Sequence, residues 1–105
     1  MVKGRSEINN IKDRYIRELN EMGISVEKVV LFGSYAKGMP REDSDIDFLV
    51  VSRDFGNKNI RERLEMLGLA AGRVSEPIEA LGCTEEELAE GGFVKEALSK
   101  GVELV

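Results

Sequence analysis

Asp45 and Asp47 stand one isoleucine apart and open an apolar run, Phe48–Val51. On a strand, both carboxylates would leave the same face, about 6.5–7 Å apart along the chain. One divalent cation can bridge that span, as can two cations about 3.5–4 Å from each other. Without a cation the carboxylates repel, and one takes up a proton. Ten residues before this pair, Gly33-Ser34 closes another apolar run, Val29–Phe32. Glycine lets the backbone turn sharply and approach a ligand with no Cβ in the way. Ser34 adds a hydroxyl, and the amides of the following turn would face an anion. Lys37 and Arg41 are the nearby cations, and Arg41 can hold phosphate oxygens two at a time. A third carboxylate comes from Glu79, an acid among apolar residues in Ile78-Glu79-Ala80-Leu81, where an unpaired charge is expensive. Glu76 reads as surface. A phosphate cradle beside metal-binding carboxylates is the minimum equipment for moving a nucleotidyl or phosphoryl group.

Each part also has a bland counterpart: a turn between strands, a solvated strand face, an edge-strand glutamate facing water. Their combination argues for chemistry, because the loop ends one strand where the acids begin the next. Leu49 and Val51 continue the aspartate face, so the carboxylates open onto an apolar strand.

Composition narrows the choices. The 105 residues contain no histidine, which excludes histidine bases, Ser-His-Asp triads and histidine-built zinc sites. A metal here would be held by oxygen, which suits Mg²⁺ or Mn²⁺. The net charge of −5 and pI of about 4.8 argue against broad, non-specific nucleic-acid binding, which needs a basic surface. Cys83 stands alone and cannot close an internal disulfide; it reads as small core filling. No run has the length of a membrane span, and the start lacks an apolar signal stretch, so a reducing cytoplasm is expected. The length suits one domain, residues 1–105.

The elements that must position these residues follow from periodicity. Ile8, Ile11, Tyr15, Leu19 and Met22 predict a helix over 7–22, with Ser6 as N-cap and Gly23 as its stop. Residues 28–32 predict a buried strand and 33–44 a loop with one helical turn after Ser34. A second strand is expected over 45–52. Ile60, Leu64, Leu67 and Ala71 predict the buried face of a helix over 59–71. Glu76–Cys83 predicts a third strand, with Pro77 marking a strand start or an edge. Thr84 and Glu87 form a capping-box pattern ahead of a short helix. Phe93–Lys100 predicts a last helix, and Val102–Val105 a final extended piece. The expected fold is a small mixed sheet with helices packed against it, α/β in class (more strictly α+β).

With these residues placed, Gly33-Ser34-Tyr35-Ala36-Lys37-Gly38 and Ser44-Asp45-Ile46-Asp47-Phe48-Leu49-Val50 resemble the signature of the DNA polymerase beta-like nucleotidyltransferase superfamily, in its minimal (MNT) branch. The resemblance implies a palm-like core. It implies transfer of a nucleoside monophosphate from ATP or another nucleoside triphosphate, with Mg²⁺, to a hydroxyl acceptor. Gly33 and Ser34 would hold the β- and γ-phosphates, Asp45 and Asp47 would ligate metal, and Glu79 would be the third carboxylate. Lys37 stands where arginine is common, and Glu79 where aspartate is usual. Many minimal members are similar to antitoxins that pair with a HEPN-domain protein, some of them adenylylating it. A nucleotidyltransferase with a partner chain as acceptor is thus the leading expectation. An antitoxin that blocks its partner by contact alone is the rival. Self-association is also expected of so small a catalytic core.

Overall fold

The computed structural model describes residues 3–40, 44–90 and 101–105. Helix α1, Arg5–Glu21, buries Ile8, Ile11, Tyr15 and Leu19, the three- and four-residue spacing of one helical face. Its N-cap is Gly4 rather than Ser6, and no side chain caps it. Arg5 is already helical, and the Ile8 amide donates to the Gly4 carbonyl, so Ser6 falls inside the first turn. Met22 is the C-cap and Gly23 follows it, as expected.

Strands β1 (Lys28–Phe32) and β2 (Ile46–Val51) pair antiparallel, and β2 pairs in parallel with β3 (Ile78–Cys83). Two residues of the expected last piece form β4, Val102–Glu103, antiparallel to β1. The sheet order is β3-β2-β1-β4, so β3 is an edge strand, as Pro77 suggested. The turn after β1 is helix α2, Gly33–Ala36. Helix α3 runs Ile60–Val74, and α4 runs Glu85–Glu90. The expected helix Phe93–Lys100 lies outside the described residues.

The sheet has two unlike faces. Val29, Leu31, Ile46, Phe48 and Val50 meet α1 and α3 in the main core. There the buried Tyr15 hydroxyl donates to the Leu67 carbonyl at 2.8 Å, tying α1 to α3. Burial drives that phenol's pKa upward. On the other face Val30, Leu49, Val51 and Cys83 pack with Leu88 of α4. Cys83 is buried there, as expected, and loss of solvation raises its thiol pKa to about 11. The Thr84 capping box forms: the Glu87 amide donates to the Thr84 hydroxyl at 3.2 Å, and the Thr84 amide to the Glu87 carboxylate at 3.0 Å.

Helix α3 corrects two expectations. It continues past Ala71 to Val74 and stops at Ser75, which adopts the left-handed conformation with φ of 60°. Its buried residues are Arg63, Leu67, Ala70, Ala71 and Val74, while Ile60 is 73% exposed and Leu64 45% exposed. Leu67 and Ala71 belong to both stripes, so the error is a rotation of the first two turns. Arg63 causes it. Its guanidinium turns inward, donates to the carbonyls of Phe55 and Gly82, and pairs with both oxygens of Glu87 at 2.7 and 2.9 Å. A side chain with that many partners takes the inward position from the aliphatic residues.

Candidate active site

Register brings the bend to the acids. Phe32, the last residue of β1, is the partner of Asp47, so Gly33 emerges beside the Asp47 side chain. Gly33 has φ of +72°, a conformation that L side chains rarely adopt. A Cβ added there would lie 2.9 Å from Cγ of Asp47 and would overlap its carboxylate oxygen Oδ2. The bare glycine is thus what lets the carboxylate rest against the turn. The first-turn amides of α2 have no carbonyl partner within the helix, and Ser34 is half-buried among them.

Glu79 is the register partner of Asp47 on the parallel strand β3. Neighbouring residues in register share a face. Both point away from the main core, on the face that Leu49 and Leu81 continue. Asp47 is the only residue of β2 that is not buried, and Asp45, just before the strand, is exposed. The Asp47 carboxyl has its pKa raised, first by burial and then by the negative charges of Glu79 and Asp45. Glu79 and Asp45 therefore both act on the Asp47 carboxyl at the mouth of the glycine bend. Among the described residues no three Asp, Glu or Cys side chains stand close enough to hold a single ion as placed. The donor set nonetheless suits a hard divalent cation: all oxygen, mutually repelling, beside a cradle that a side chain would fill.

Some expected site residues stand differently. Glu79 is exposed, not surrounded by apolar neighbours. Strand alternation explains it: Ile78 and Ala80 pack on the main core, on the opposite face. Lys37 is exposed at the C-cap of α2. Arg41 lies outside the described residues. Glu76 is not bare surface; it pairs with Arg14 of α1 at 3.2 Å and with Lys3 at 3.8 Å.

A groove of about 800 Å³ runs from Leu49 and Leu81 between β3 and the start of α3, with Ile60, Leu64 and Arg63 on its far wall. Arg63 was invisible because a charge in an amphipathic helix reads as solvent-facing. The signals that accompany it are the two capping boxes, at Asn59/Glu62 and Thr84/Glu87, which fix the ends of the helices it joins.

The family model of the nucleotidyltransferase domain matches residues 12–104. The chain belongs to that family. Two proteins of Methanocaldococcus jannaschii that carry the provisional name protein adenylyltransferase are similar to this nucleotidyltransferase domain. One is 35% identical over 54 residues, which is 50% of this chain and 37% of the relative. The other is 43% identical over 49 residues, 47% of this chain and 56% of the relative. The chain thus spans about a third to somewhat over half of the length of these curated relatives. Among solved structures, a protein of Sulfolobus solfataricus provisionally named a nucleotidyltransferase shares the fold at a TM-score of 0.66 and 24% identity, over 98% of this chain and 89% of that one. A toxin–antitoxin structure with AMP-PNP matches at 0.63 and 22%, over 90% and 72%. The Shewanella oneidensis tri-AMPylated HEPN toxin in complex with MNT antitoxin matches at 0.56 and 21%, over 94% and 71%. At these identities the structures speak for the fold.

Proposed function

We propose that this nucleotidyltransferase domain transfers AMP from ATP to a hydroxyl of an acceptor protein and releases pyrophosphate. The observation that carries the reading is the contact of Asp47 with the Gly33 bend, with Glu79 in register beside it. In this reading the α2 amides and the Ser34 hydroxyl bind the β- and γ-phosphates, with Lys37 and Arg41 as neighbouring cations. Asp45 and Asp47, joined by Glu79, would hold Mg²⁺ or Mn²⁺, which when bound neutralises triphosphate charge and polarises the reacting phosphate. Glu79 is the exposed carboxylate at that edge, and it accepts the proton of the attacking hydroxyl. Holding phosphate and acceptor in line supplies most of the rate.

The choice of AMP is supported by the provisional names of the relatives and by the AMP-PNP of one structural neighbour. A HEPN-domain protein as acceptor is supported by the Shewanella oneidensis complex. ATP as donor and the free, buried Cys83 fit the cytoplasm. The second reading, an antitoxin that blocks its partner by contact, is supported by the same complexes and by the exposed Ile60 and Leu64. The test incubates the domain and a HEPN-domain partner with α-labelled ATP and Mg²⁺. Label should appear on the partner and vanish with Asp45→Asn or Asp47→Asn. Transfer within a few-fold of the parent in both variants would overturn the metal-binding role. Toxin blocking that survives Asp47→Asn would favour the contact reading.

A further inference from the structure

We propose that the outer edge of β3, which no described strand covers, is the acceptor subsite, and that it takes an extended segment of the acceptor protein as a fifth strand. This rests on the AMP-transfer reading above and names the shape of its substrate.

The backbone bonds fix which groups of β3 look outward. The Ile46 amide donates to the Pro77 carbonyl, and the Ser52 amide to the Cys83 carbonyl. Along a parallel pair the residues facing the neighbour alternate, so Pro77, Glu79, Leu81 and Cys83 bond toward β2. Ile78, Ala80 and Gly82 then direct their carbonyls outward, and Ala80 and Gly82 their amides as well; the Ile78 amide bonds to the Glu76 carbonyl. Arg63 confirms the direction, because its guanidinium caps the Gly82 carbonyl from outside at 3.2 Å. That cap closes the far end of the edge. It leaves the Ile78 carbonyl, both groups of Ala80 and the Gly82 amide facing out. No described strand pairs with them. Donors and acceptors at strand spacing are met by another strand, not by a compact ligand.

The side chains along this edge say what that strand carries. A residue added opposite Glu79 would stand about 4.5–5.5 Å away on the acid face. There a hydroxyl side chain reaches both the Glu79 carboxylate and the ATP held at Asp47. Two residues further on, the added strand passes Leu81 and enters the groove walled by Ile60 and Leu64. The segment recognised is therefore extended, with a hydroxyl residue and, two positions from it, an apolar one. In the transfer, the acceptor oxygen forms the bond to the α-phosphorus as the bond to the β-phosphate breaks. The hydroxyl proton goes to Glu79 and pyrophosphate leaves.

The test uses two synthetic peptides, Val-Thr-Val-Tyr-Val-Val-Thr and the same sequence N-methylated at alternate residues along its pairing edge. Side chains are identical, but only the first can form the ladder. Amide hydrogen exchange in the ¹⁵N-labelled chain should slow at least tenfold at Ala80 and Gly82 with the first peptide and stay unchanged with the second. Leu64→Glu, at an exposed position, should abolish the protection while its thermal unfolding stays cooperative. No protection, or equal protection by both peptides, overturns the proposal. So does protection that grows with protein concentration alone, which would mean a second copy fills the edge. So does a groove whose Leu81 methyl signals respond to ATP and Mg²⁺ but not to peptide. Protection without AMP transfer would sink the enzymatic reading and leave the strand-docking edge standing; transfer without protection would do the reverse.

Discussion

Gly33 and Asp47 touch across the corner where β1 ends: a methyl group on the glycine would come within 2.9 Å of the aspartate's Cγ. The corner and the acid are thus one unit. The turn cannot gain a side chain without moving the carboxylate, and the carboxylate cannot come forward without meeting the turn. The register that creates this contact, Phe32 with Asp47, also places Asp47 beside Glu79 on the next strand. Three sequence-distant residues are in this way held by two ladders that share β2.

Gly33→Ala should therefore damage activity more than stability. The substituted residue would keep a positive φ at a strain of roughly 1–3 kcal/mol, and the Asp47 side chain would have to rotate away. A displacement of about 1 Å at a reacting centre lowers rates on the order of 100-fold. The check is α-labelled AMP transfer beside thermal unfolding. A variant that transfers AMP at the parental rate would separate the bend from the chemistry.

Removing the Asp47 charge should stabilise the chain when no divalent ion is added. Burial, Glu79 and Asp45 raise its pKa above that of a free aspartate. A carboxyl whose pKa is higher folded than unfolded binds protons more tightly in the native state. Stability is then lost as pH rises through the unfolded value toward the folded one, and at neutral pH the charge opposes folding. Asp47→Asn should raise the unfolding temperature in EDTA at pH 7, with the gain shrinking as pH falls toward the free-aspartate value of 3.8 and absent below it. Mg²⁺ should raise the parental unfolding temperature and leave the variant's unchanged. An unfolding temperature lowered by the substitution would contradict the repulsion.

Some of this was open to reading from residue types, and some was not. Gly33, Ser34 and Asp47 sit at element ends that their own neighbours define, so spacing placed them beside the bend and on the strand; Asp45, expected on that strand, lies one residue before it. β2 was legible because a short β-branched and aromatic run bounded by turn residues favours a buried strand. Glu79 was found for an incorrect reason: its apolar neighbours flank it in sequence but face the opposite side of the sheet. The first two turns of α3 misled because pattern reading assigns aliphatic residues inward and charges outward. It cannot foresee a guanidinium with five hydrogen bonds waiting for it. Such a network belongs to tertiary structure, since its partners come from Phe55, Lys58, Gly82 and Glu87.

That network predicts a weak point in acid. Arg63 holds the Glu87 carboxyl below its ordinary pKa of 4.5 through hydrogen bonds to both oxygens. An acid depressed in the folded state contributes stability that is complete above its unfolded pKa and is lost as pH falls through the folded one. Glu87→Gln should lower stability at pH 7 by about 1–2 kcal/mol, toward the lower end because the Glu87 side chain is 41% exposed and water screens the pair. The difference between parent and variant should shrink from pH 4.5 downward. Chemical denaturation at pH 7, 5 and 3 reads it directly, and a difference that stays constant across that range would remove Glu87 from the network.

Gly82 and Gly68 make opposite predictions from the same substitution. A Cβ on Gly82 would stand 2.9 Å from two carbons of the Phe55 ring and 3.2 Å from Leu67 Cδ1. Phe55 is fully buried, so its ring has nowhere to swing. Gly82→Ala should destabilise by about 1–3 kcal/mol through overpacking. Gly68 lies within α3 with nothing inside 4 Å of an added Cβ. There alanine should stabilise by roughly 1 kcal/mol, because helical glycine gives up more backbone freedom on folding. Paired urea unfolding curves decide both. Equal effects at the two sites would mean that the ring of Phe55 yields, and that the inner wall under β3 is softer than its burial implies.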